Sequence, residues 1–416
     1  MFNIHRWTSV TRVWFGSTFK FSEDADYFDL IQPLYKLLNL FENPVRCVHE
    51  FGFIRGLLVL LYRFVVLISY ISFAYRAYWQ LYCRSDVAKL ITASGSIVLY
   101  TLCVVRISML NMYDREICEL RLFFKDRIYP EQSEWAHRIR AGLYRRWNWT
   151  IILFMPLTIV NQFIFMCTNW HNPEFHLQYQ GVVVGPLVVR IILQFFSGYI
   201  AVSFIISSCA MHIILQLFQI EMHIMMQNFK QNIDAEQQQF RETINIRSAY
   251  NLFCKNLHVT IRRHANLLQM ISSFAKIFSL FGLLVYYGTL ILMTCICFFV
   301  MHHQFSSNTV SFVLFSICLM VDTLLFCQTV DNINDLNKNL GDIVYSIYWS
   351  AILKLANQGL PIENQRSLRR SILIVLQQCQ QPLYLGCNEF GTLSMHRFGE
   401  LIQNIYSLIT FLSQFD

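Results

Sequence analysis

The chain has 416 residues, of which 55% are hydrophobic and only 14% are charged, and its mean hydropathy is +0.39. A soluble chain carries about 25% charged residues, because its surface must face water. The composition therefore excludes an ordinary soluble protein and predicts an all-α, polytopic membrane protein whose apolar surface faces lipid. The net charge of +7 does not indicate a nucleic-acid partner, because the basic residues are dispersed among apolar runs.

The cysteines and the common catalytic motifs indicate neither an enzyme nor a metalloprotein. The 13 cysteines form no CxxC pair and no Cys/His spacing typical of a zinc site. Most of them, such as Cys103, Cys209 and Cys318, lie in apolar runs, where a free cysteine acts as a small hydrophobic residue. H-E-x-x-H, G-x-S-x-G and P-loop motifs are missing from the sequence. We therefore expect no enzymatic activity, no cofactor and no metal.

Seven apolar runs reach the length of about 20 residues that a helix needs to cross about 30 Å of hydrocarbon. The predicted spans are 57–78, 87–110, 149–169, 182–207, 274–301, 309–330 and 393–415. The first two spans are the least uniform, since they carry Arg63, Arg76, Lys89 and Arg106. These runs predict a seven-transmembrane helical bundle.

Lysine and arginine alternate between loops, and this alternation predicts the orientation of the bundle. The segment before span one and the loops after spans two, four and six are basic. The other three loops, 80–86, 170–181 and 302–308, contribute a single basic residue, Arg84. Because positive charge accumulates in cytoplasmic loops, the N-terminus is expected inside and the C-terminus outside. This orientation is the reverse of that of a G-protein-coupled receptor.

The inner segments 212–273 and 331–392 are long enough to form helices of their own. In the first segment, Ile214, Leu217, Phe218 and Met222 recur at helical spacing, as in an amphipathic helix that continues beyond the bilayer. In the second, a helix is predicted over 367–379, before Pro382. The chain is therefore divided into a cytoplasmic N-terminal segment (1–56), spans one to six (57–330, with the extension 212–273), a cytoplasmic platform of anchor helices (331–392) and a last span (393–416).

The region after span six contains three motifs in a specific order. Residues 343–349 read IVYSIYW, residues 369–376 read RRSILIVL and are followed by QQPL at 380–383, and the last span contains LSMHRF at 393–398 and YSLITFL at 406–412. Together these motifs resemble the C-terminal signature of insect odorant receptors. The Tyr406-Ser407 pair favours this family over the sister gustatory receptors, which end in a TY-x5-QF pattern. The absence of that TY also argues against the broadly shared co-receptor.

The resemblance implies a ligand-tuned subunit that joins the olfactory co-receptor (Orco) in a heterotetramer around one pore. The assembly would be an odour-gated, non-selective cation channel in the plasma membrane of a sensory neuron dendrite. The expected partners are the co-receptor, a small volatile ligand and the lipid bilayer. The alternatives are a gustatory receptor channel and a membrane transporter. A transporter would usually show internal repeats and matching broken helices.

The last span is unusually polar for a helix that faces lipid. Its polar residues Gln403, Ser407, Thr410 and Gln414 are spaced by four, three and four residues, so they share one helical face. The resemblance implies that this helix lines the pore, with a gate near its outer end at Phe411, Gln414 and Phe415. The alternative is that the polar groups hydrogen-bond to neighbouring helices while the phenylalanines face lipid.

The resemblance also places the ligand site in the outer halves of spans two to six. An apolar volatile molecule needs an aromatic-lined cavity with a few polar groups, although any one such residue also fits ordinary bundle packing. Candidate residues are Ser94, Asn161, Gln162, Phe165, Val189, Leu193, Tyr287, Met293, Phe312 and Phe315.

Two charged residues inside spans four and six require partners. Arg190 is expected either to reach outward past Pro186 or to bind a carboxylate or carbonyl of an odorant inside the cavity. Asp322 is expected either to pair with Arg106 or to line a wet vestibule.

Overall fold

The computed structural model of the protein describes residues 27–28, 53–83, 87–125, 134–169, 176, 178–180, 182–242, 246–302, 307–347, 362–387 and 391–414. The helices are α1 (Phe53–Tyr82), α2 (Val87–Met112), α3 (Asp114–Lys125), α4 (Glu134–Thr168), α5 (Leu187–Glu242), α6 (Ile246–His302), α7 (Ser307–Ser346), α8 (Ile362–Gln380) and α9 (Met395–Leu412). Two antiparallel hairpins pair β1 (Gln178–Tyr179) with β2 (Val182–Val183) and β3 (Gly386–Cys387) with β4 (Gly391–Thr392). The prediction of an all-α bundle is confirmed.

Each predicted span lies mostly or wholly on a helix. In the described residues, α2, α4, α5, α6 and α7 contain stretches long and apolar enough to cross a membrane. Helix α1 has 30 residues and exposes Leu60, Phe64, Leu67 and Ile71 at helical spacing, as expected for a face against lipid. Helix α9 has 18 residues, and at the usual rise this length covers about 27 Å, close to the thickness of the hydrocarbon core.

The predicted start of span four at residue 182 is wrong. Residues 182–183 form β2, and α5 begins only at Leu187. Gly185 has a φ of +98°, which a right-handed helix does not allow, and it immediately precedes Pro186. The β1–β2 hairpin instead lies against α1, where Tyr179 stacks on Tyr75 with ring centroids 5.7 Å apart.

Helices α5 and α6, with 56 and 57 residues, extend far beyond what a bilayer requires. Their inner halves form the main core, in which the side chains of Phe218, Phe229, Phe274 and Phe278 are at least 98% buried. The amphipathic helix predicted over the start of 212–273 is therefore confirmed as a direct continuation of span four. Helix α8, predicted over 367–379, occupies Ile362–Gln380 and packs against α7.

Helix α7 holds the connection between α8 and α9 through one row of side chains. Asp331 accepts a hydrogen bond from the backbone N–H of Met395 at 2.7 Å. Three residues further on, Asn334 accepts one from the N–H of Leu383 at 2.7 Å. The Asn337 amide donates to carbonyl oxygens at the end of α8, including that of Cys379 at 3.3 Å. The start of the last helix is thereby tied to α7.

Candidate ligand cavity and final helix

A cavity of about 190 Å³ lies among α1, α2, α4, α5, α6 and α7, in the half of the bundle that the loop charges place outside. Most of its surface is apolar, with polar groups contributed by several helices. Its aromatic lining consists of Phe73, Tyr100, Phe165, Phe204, Phe299, Phe312 and Phe315. Its polar lining consists of Ser69, Ser72, Thr92, Ser96, Asn161, Gln162, His176, Arg190 and Ser311.

The aromatic lining is held by contacts between rings of different helices. Phe312 of α7 meets Phe165 of α4 edge to face at 5.7 Å and Phe299 of α6 at 4.8 Å. Phe73 of α1 lies 4.9 Å from Tyr100 of α2. Such aromatic pairs contribute about 0.5–1.5 kcal/mol beyond the burial of their area, so these contacts help to hold the lining in place.

Six of the candidate residues from the sequence line this cavity, namely Asn161, Gln162, Phe165, Arg190, Phe312 and Phe315. Ser94, Val189, Tyr287 and Met293 do not line it. The side chain of Leu193 lies outside the described part of the chain.

Helix geometry explains why two candidates on α6 lie away from the cavity. The lining residues of α6 are Leu292, Cys295, Ile296 and Phe299, spaced three, one and three residues apart on one face. Met293 differs from Leu292 by one position, and one position rotates a side chain by about 100°. Tyr287 lies a further turn away and packs edge to face on Tyr286 at 5.2 Å.

Helix α1 contributes to the cavity although the resemblance placed the site among spans two to six. Ser69, Ser72 and Phe73 line one wall. A signal was present in the sequence, because the two serines are three residues apart on an otherwise lipid-facing helix.

Arg190 lies at the outer end of the cavity and combines features of both predicted alternatives. Its Nε donates to the carbonyl oxygen of Gly185 at 3.1 Å, next to Pro186 in the loop before α5. The same side chain lines the cavity. The loop carbonyl therefore anchors a cationic group beside the space that a ligand would occupy.

The predicted pairing of Asp322 with Arg106 is confirmed, and it lies directly next to the cavity. Arg106 of α2 is 1% exposed, and its Nη1 lies 4.0 Å from Oδ2 of Asp322 on α7. Ser208 of α5 bridges the pair, because its hydroxyl accepts from Arg106 Nη1 at 2.8 Å and donates to Asp322 Oδ2 at 3.1 Å. Three helices are thus joined through one ion pair, in which Arg106 is fully buried and Asp322 is partly buried.

His212 completes this polar cluster on its inner side. Its Nε2 lies 2.9 Å from Oδ1 of Asp322, so it donates to the carboxylate. The imidazole stacks on Phe326 with centroids 3.6 Å apart and planes 12° apart. The cluster thereby connects the floor of the cavity with the aromatic core of the inner half.

A second buried ion pair joins α4 to α5 in the inner half. Arg140 donates from Nε and Nη2 to the two carboxylate oxygens of Glu221 at 2.7 and 2.8 Å. Both side chains are at most 4% exposed. This bidentate geometry is the strongest form of the arginine–carboxylate bond, so it fixes the two helices against each other.

The polar stripe of α9 faces away from its own bundle. Leu401 and Ile405 are buried against α6 and α7, whereas Gln403, Ser407 and Thr410 are exposed. At about 100° per residue the two sets lie on opposite faces of the helix. Ser407 and Thr410 donate to carbonyl oxygens of α9 itself, at 2.9 Å each, and not to a neighbouring helix.

Two of the three gate candidates, Phe411 and Gln414, lie at the outer end of α9. Phe411 is 53% exposed, and Gln414 follows the helix in a terminal turn. Phe415 lies outside the described residues.

In the platform, α7 and α8 pack closely at Cys379. A Cβ at Gly341 would lie 2.8 Å from the Cβ of Cys379, so the small residue allows the contact. Burial raises the pKa of the Cys379 thiol to about 12, and the carboxylate of Asp342 adds to the increase. This thiol is protonated and unreactive at neutral pH.

The fold and the cavity define a multi-pass helical membrane protein with a ligand-sized aromatic pocket. The family model of the 7tm odorant receptors matches residues 86–406, and the chain belongs to this family. The resemblance found in the C-terminal motifs is thereby confirmed.

Two curated relatives are the putative odorant receptor 19b and the odorant receptor 19a of Drosophila melanogaster, each 24% identical over 155 residues. The matched part spans 37% of this chain and 37% of the length of each relative. The fold is similar to the structure of the insect olfactory receptor OR5 from Machilis hrabei, with a TM-score of 0.61 at 11% identity. The structure of that receptor in complex with eugenol gives a TM-score of 0.60 at 13% identity. Both comparisons cover 94% of this chain and 100% of the other.

Proposed function

We propose that this protein is the ligand-tuned subunit of an odour-gated, non-selective cation channel and assembles with the olfactory co-receptor in a heterotetramer. Residues 57–330 would bind the odorant, residues 331–392 would anchor the assembly, and residues 393–416 would line the pore. The protein would act in the plasma membrane of a sensory neuron dendrite.

One observation supports this proposal most directly: a single uninterrupted helix runs from the cavity to the start of α9. Ser311, Phe312 and Phe315 near the outer end of α7 line the cavity. Asp331 on the same helix accepts the hydrogen bond of Met395 at the start of α9. A movement of α7 caused by a ligand would therefore be transmitted directly to the last helix.

The cavity suits a small volatile molecule in size and polarity. Its volume of about 190 Å³ is somewhat larger than the roughly 150 Å³ that accommodates benzene in an engineered apolar site. Affinity would come mainly from apolar burial, at about 25 cal/mol per Å². The polar groups at the rim would set the orientation of the ligand.

Conduction is assigned to α9 because its polar stripe is not used inside the subunit. Four such stripes around one axis would form a wettable pore lined by Gln403, Ser407 and Thr410 and their equivalents. Near the outer end, Phe411, Gln414 and Phe415 would form the gate. A ring of apolar side chains blocks ions by excluding water, and it conducts once the helices spread.

The experiment is to express the chain with and without the co-receptor in a cell that has no other odour receptor, and to record current during an odour panel. A cation current that requires both subunits is the expected result. Current from this chain alone would replace the proposal with a self-sufficient channel. A G-protein response without conductance would exclude a channel altogether.

A further inference from the structure

Arg190 stands out among the residues of the cavity because it carries a full charge. Its Nε is occupied by the carbonyl oxygen of Gly185, which leaves the two terminal nitrogen atoms of the guanidinium. In the described part of the chain no carboxylate forms an ion pair with this guanidinium, and neither terminal nitrogen atom makes a hydrogen bond. A cation in apolar surroundings is stable only with an anionic or hydrogen-bonding partner.

Other hydrogen-bond donors surround the same space. Asn161 and Gln162 of α4 and Ser311 of α7 line the cavity. Within the described residues none of these three side chains has a hydrogen-bond partner. Because unsatisfied donors in an apolar site are costly, a ligand that offers oxygen acceptors would gain from each of them.

The deeper wall of the cavity is different in character. Phe204, Leu292, Ile296 and Cys103 line it, further from the outer helix ends than Arg190. The cavity therefore has a polar, cationic outer end and a deeper part that is mostly apolar, to which Ser69 and Tyr100 add two hydroxyl groups. It matches a molecule with an acidic head and a compact apolar body.

We infer that the cavity selects small carboxylic acids in their ionised form, and that the terminal nitrogen atoms of Arg190 bind the carboxylate. This inference rests on the proposed function, since it names the ligand class of the same cavity. The planar guanidinium matches the two oxygens of a carboxylate, and such charge-assisted bonds are about twice as strong as neutral ones. Asn161 and Gln162 would contribute further hydrogen bonds to the same head group.

The test compares four ligands of similar shape on cells that express the chain with the co-receptor: phenylacetate, phenylacetamide, methyl phenylacetate and ethylbenzene. Phenylacetate is expected to activate at a concentration about ten-fold or more below those of the neutral three, because hydrogen bonds between charged groups are stronger than those between neutral groups. This comparison needs no substitution. If phenylacetate shows no advantage in the unmodified chain, the inference is overturned.

Substitutions then locate the effect. Arg190→Gln is expected to remove the advantage of phenylacetate and to change the response to ethylbenzene by less than about three-fold, while Arg190→Lys keeps part of it. Arg115→Gln is the matched control, because Arg115 is 88% exposed on α3 and does not line the cavity. Equal loss of all four responses in Arg190→Gln at normal surface expression would contradict carboxylate binding.

Different results would contradict the inferred ligand class and the proposed channel function. If the responses to ethylbenzene and the ester exceed the response to the acid, the inferred ligand class is wrong, but the proposed channel function is unaffected. An absence of current for every ligand and for a broad odour panel, with both subunits at the cell surface, would overturn the proposed function itself.

Discussion

The guanidinium carbon of Arg106 lies 3.9 Å from the centroid of the Phe204 ring, and Phe204 also lines the ligand cavity. The aromatic floor of the cavity thus rests on the cation that pairs with Asp322. A ligand that displaces this ring would disturb a contact of about 0.5–2 kcal/mol and, through it, an ion pair between α2 and α7. The relationship connects the cavity to the helix that holds the last span.

Phe204→Leu should shift the ligand preference towards bulkier molecules, because the smaller side chain deepens the floor. We expect a change of about ten-fold in the ratio of half-maximal concentrations for a larger and a smaller ligand of one series. The measurement is a set of dose–response curves with the co-receptor. Phe163→Leu on α4 is the control, since Phe163 is 64% exposed and does not line the cavity. An unchanged ratio would show that Phe204 does not limit ligand size.

Asp322→Leu should destabilise the protein strongly, because it leaves the buried Arg106 without its counter-charge. Breaking such a pair costs about 3–5 kcal/mol, whereas replacing both partners by apolar residues costs much less. The double substitution Arg106→Leu and Asp322→Leu should therefore recover part of the loss. Thermal unfolding of the purified subunit measures both effects.

The exposed pair Arg115–Glu119 provides the control for that comparison, with side chains 88% and 59% exposed. Glu119→Gln should leave the unfolding temperature unchanged, because exposed pairs contribute about 0–1 kcal/mol. The contradicting outcome concerns the double substitution of Arg106 and Asp322. If its loss of stability equals the sum of the losses in Arg106→Leu and Asp322→Leu alone, the two residues are energetically independent.

Asp331→Ala should weaken the transmission from α7 to α9, because the N–H of Met395 loses its acceptor. The loss of such a helix-start hydrogen bond costs about 1 kcal/mol. We expect a smaller maximal current with little change in ligand affinity. Asp335→Ala on the exposed side of the same helix is the matched control. Equal effects of the two substitutions on maximal current would exclude a specific role of Asp331.

Ser407→Cys should make the channel sensitive to a water-soluble, charged thiol reagent, because the stripe of α9 faces the proposed pore. We expect most of the current to be lost on treatment. Ile402→Cys, on a different side of the helix, should be much less sensitive. The unmodified chain is the second control, because it shows any effect of the reagent on the exposed cysteines Cys83, Cys118 and Cys167. Cys379 will not contribute, because burial raises the pKa of that thiol to about 12. Equal sensitivity of both variants would place Ser407 outside the pore.

Much of the architecture followed from the sequence, because lipid and water impose strong and opposite demands. Hydrophobic length predicted seven spans, each of which lies mostly or wholly on a helix, and loop charges predicted their orientation. The spacing of Gln403, Ser407 and Thr410 identified one exposed face of the last helix. The cost of a charge in hydrocarbon also pointed to the pairing of Arg106 with Asp322. Gly185 and Pro186 carried a signal for the start of α5, but the apolar residues before them obscured it.

Only the tertiary structure decided which apolar residues face the cavity. In a membrane bundle both the lipid side and the inner side of a helix are apolar, so periodicity does not distinguish them. Leu292 and Met293 are equivalent by composition, yet a rotation of about 100° places the first in the cavity and not the second. For the same reason the wall formed by α1, and the position of Arg190 between loop carbonyl and cavity, emerged only when the helices were packed together.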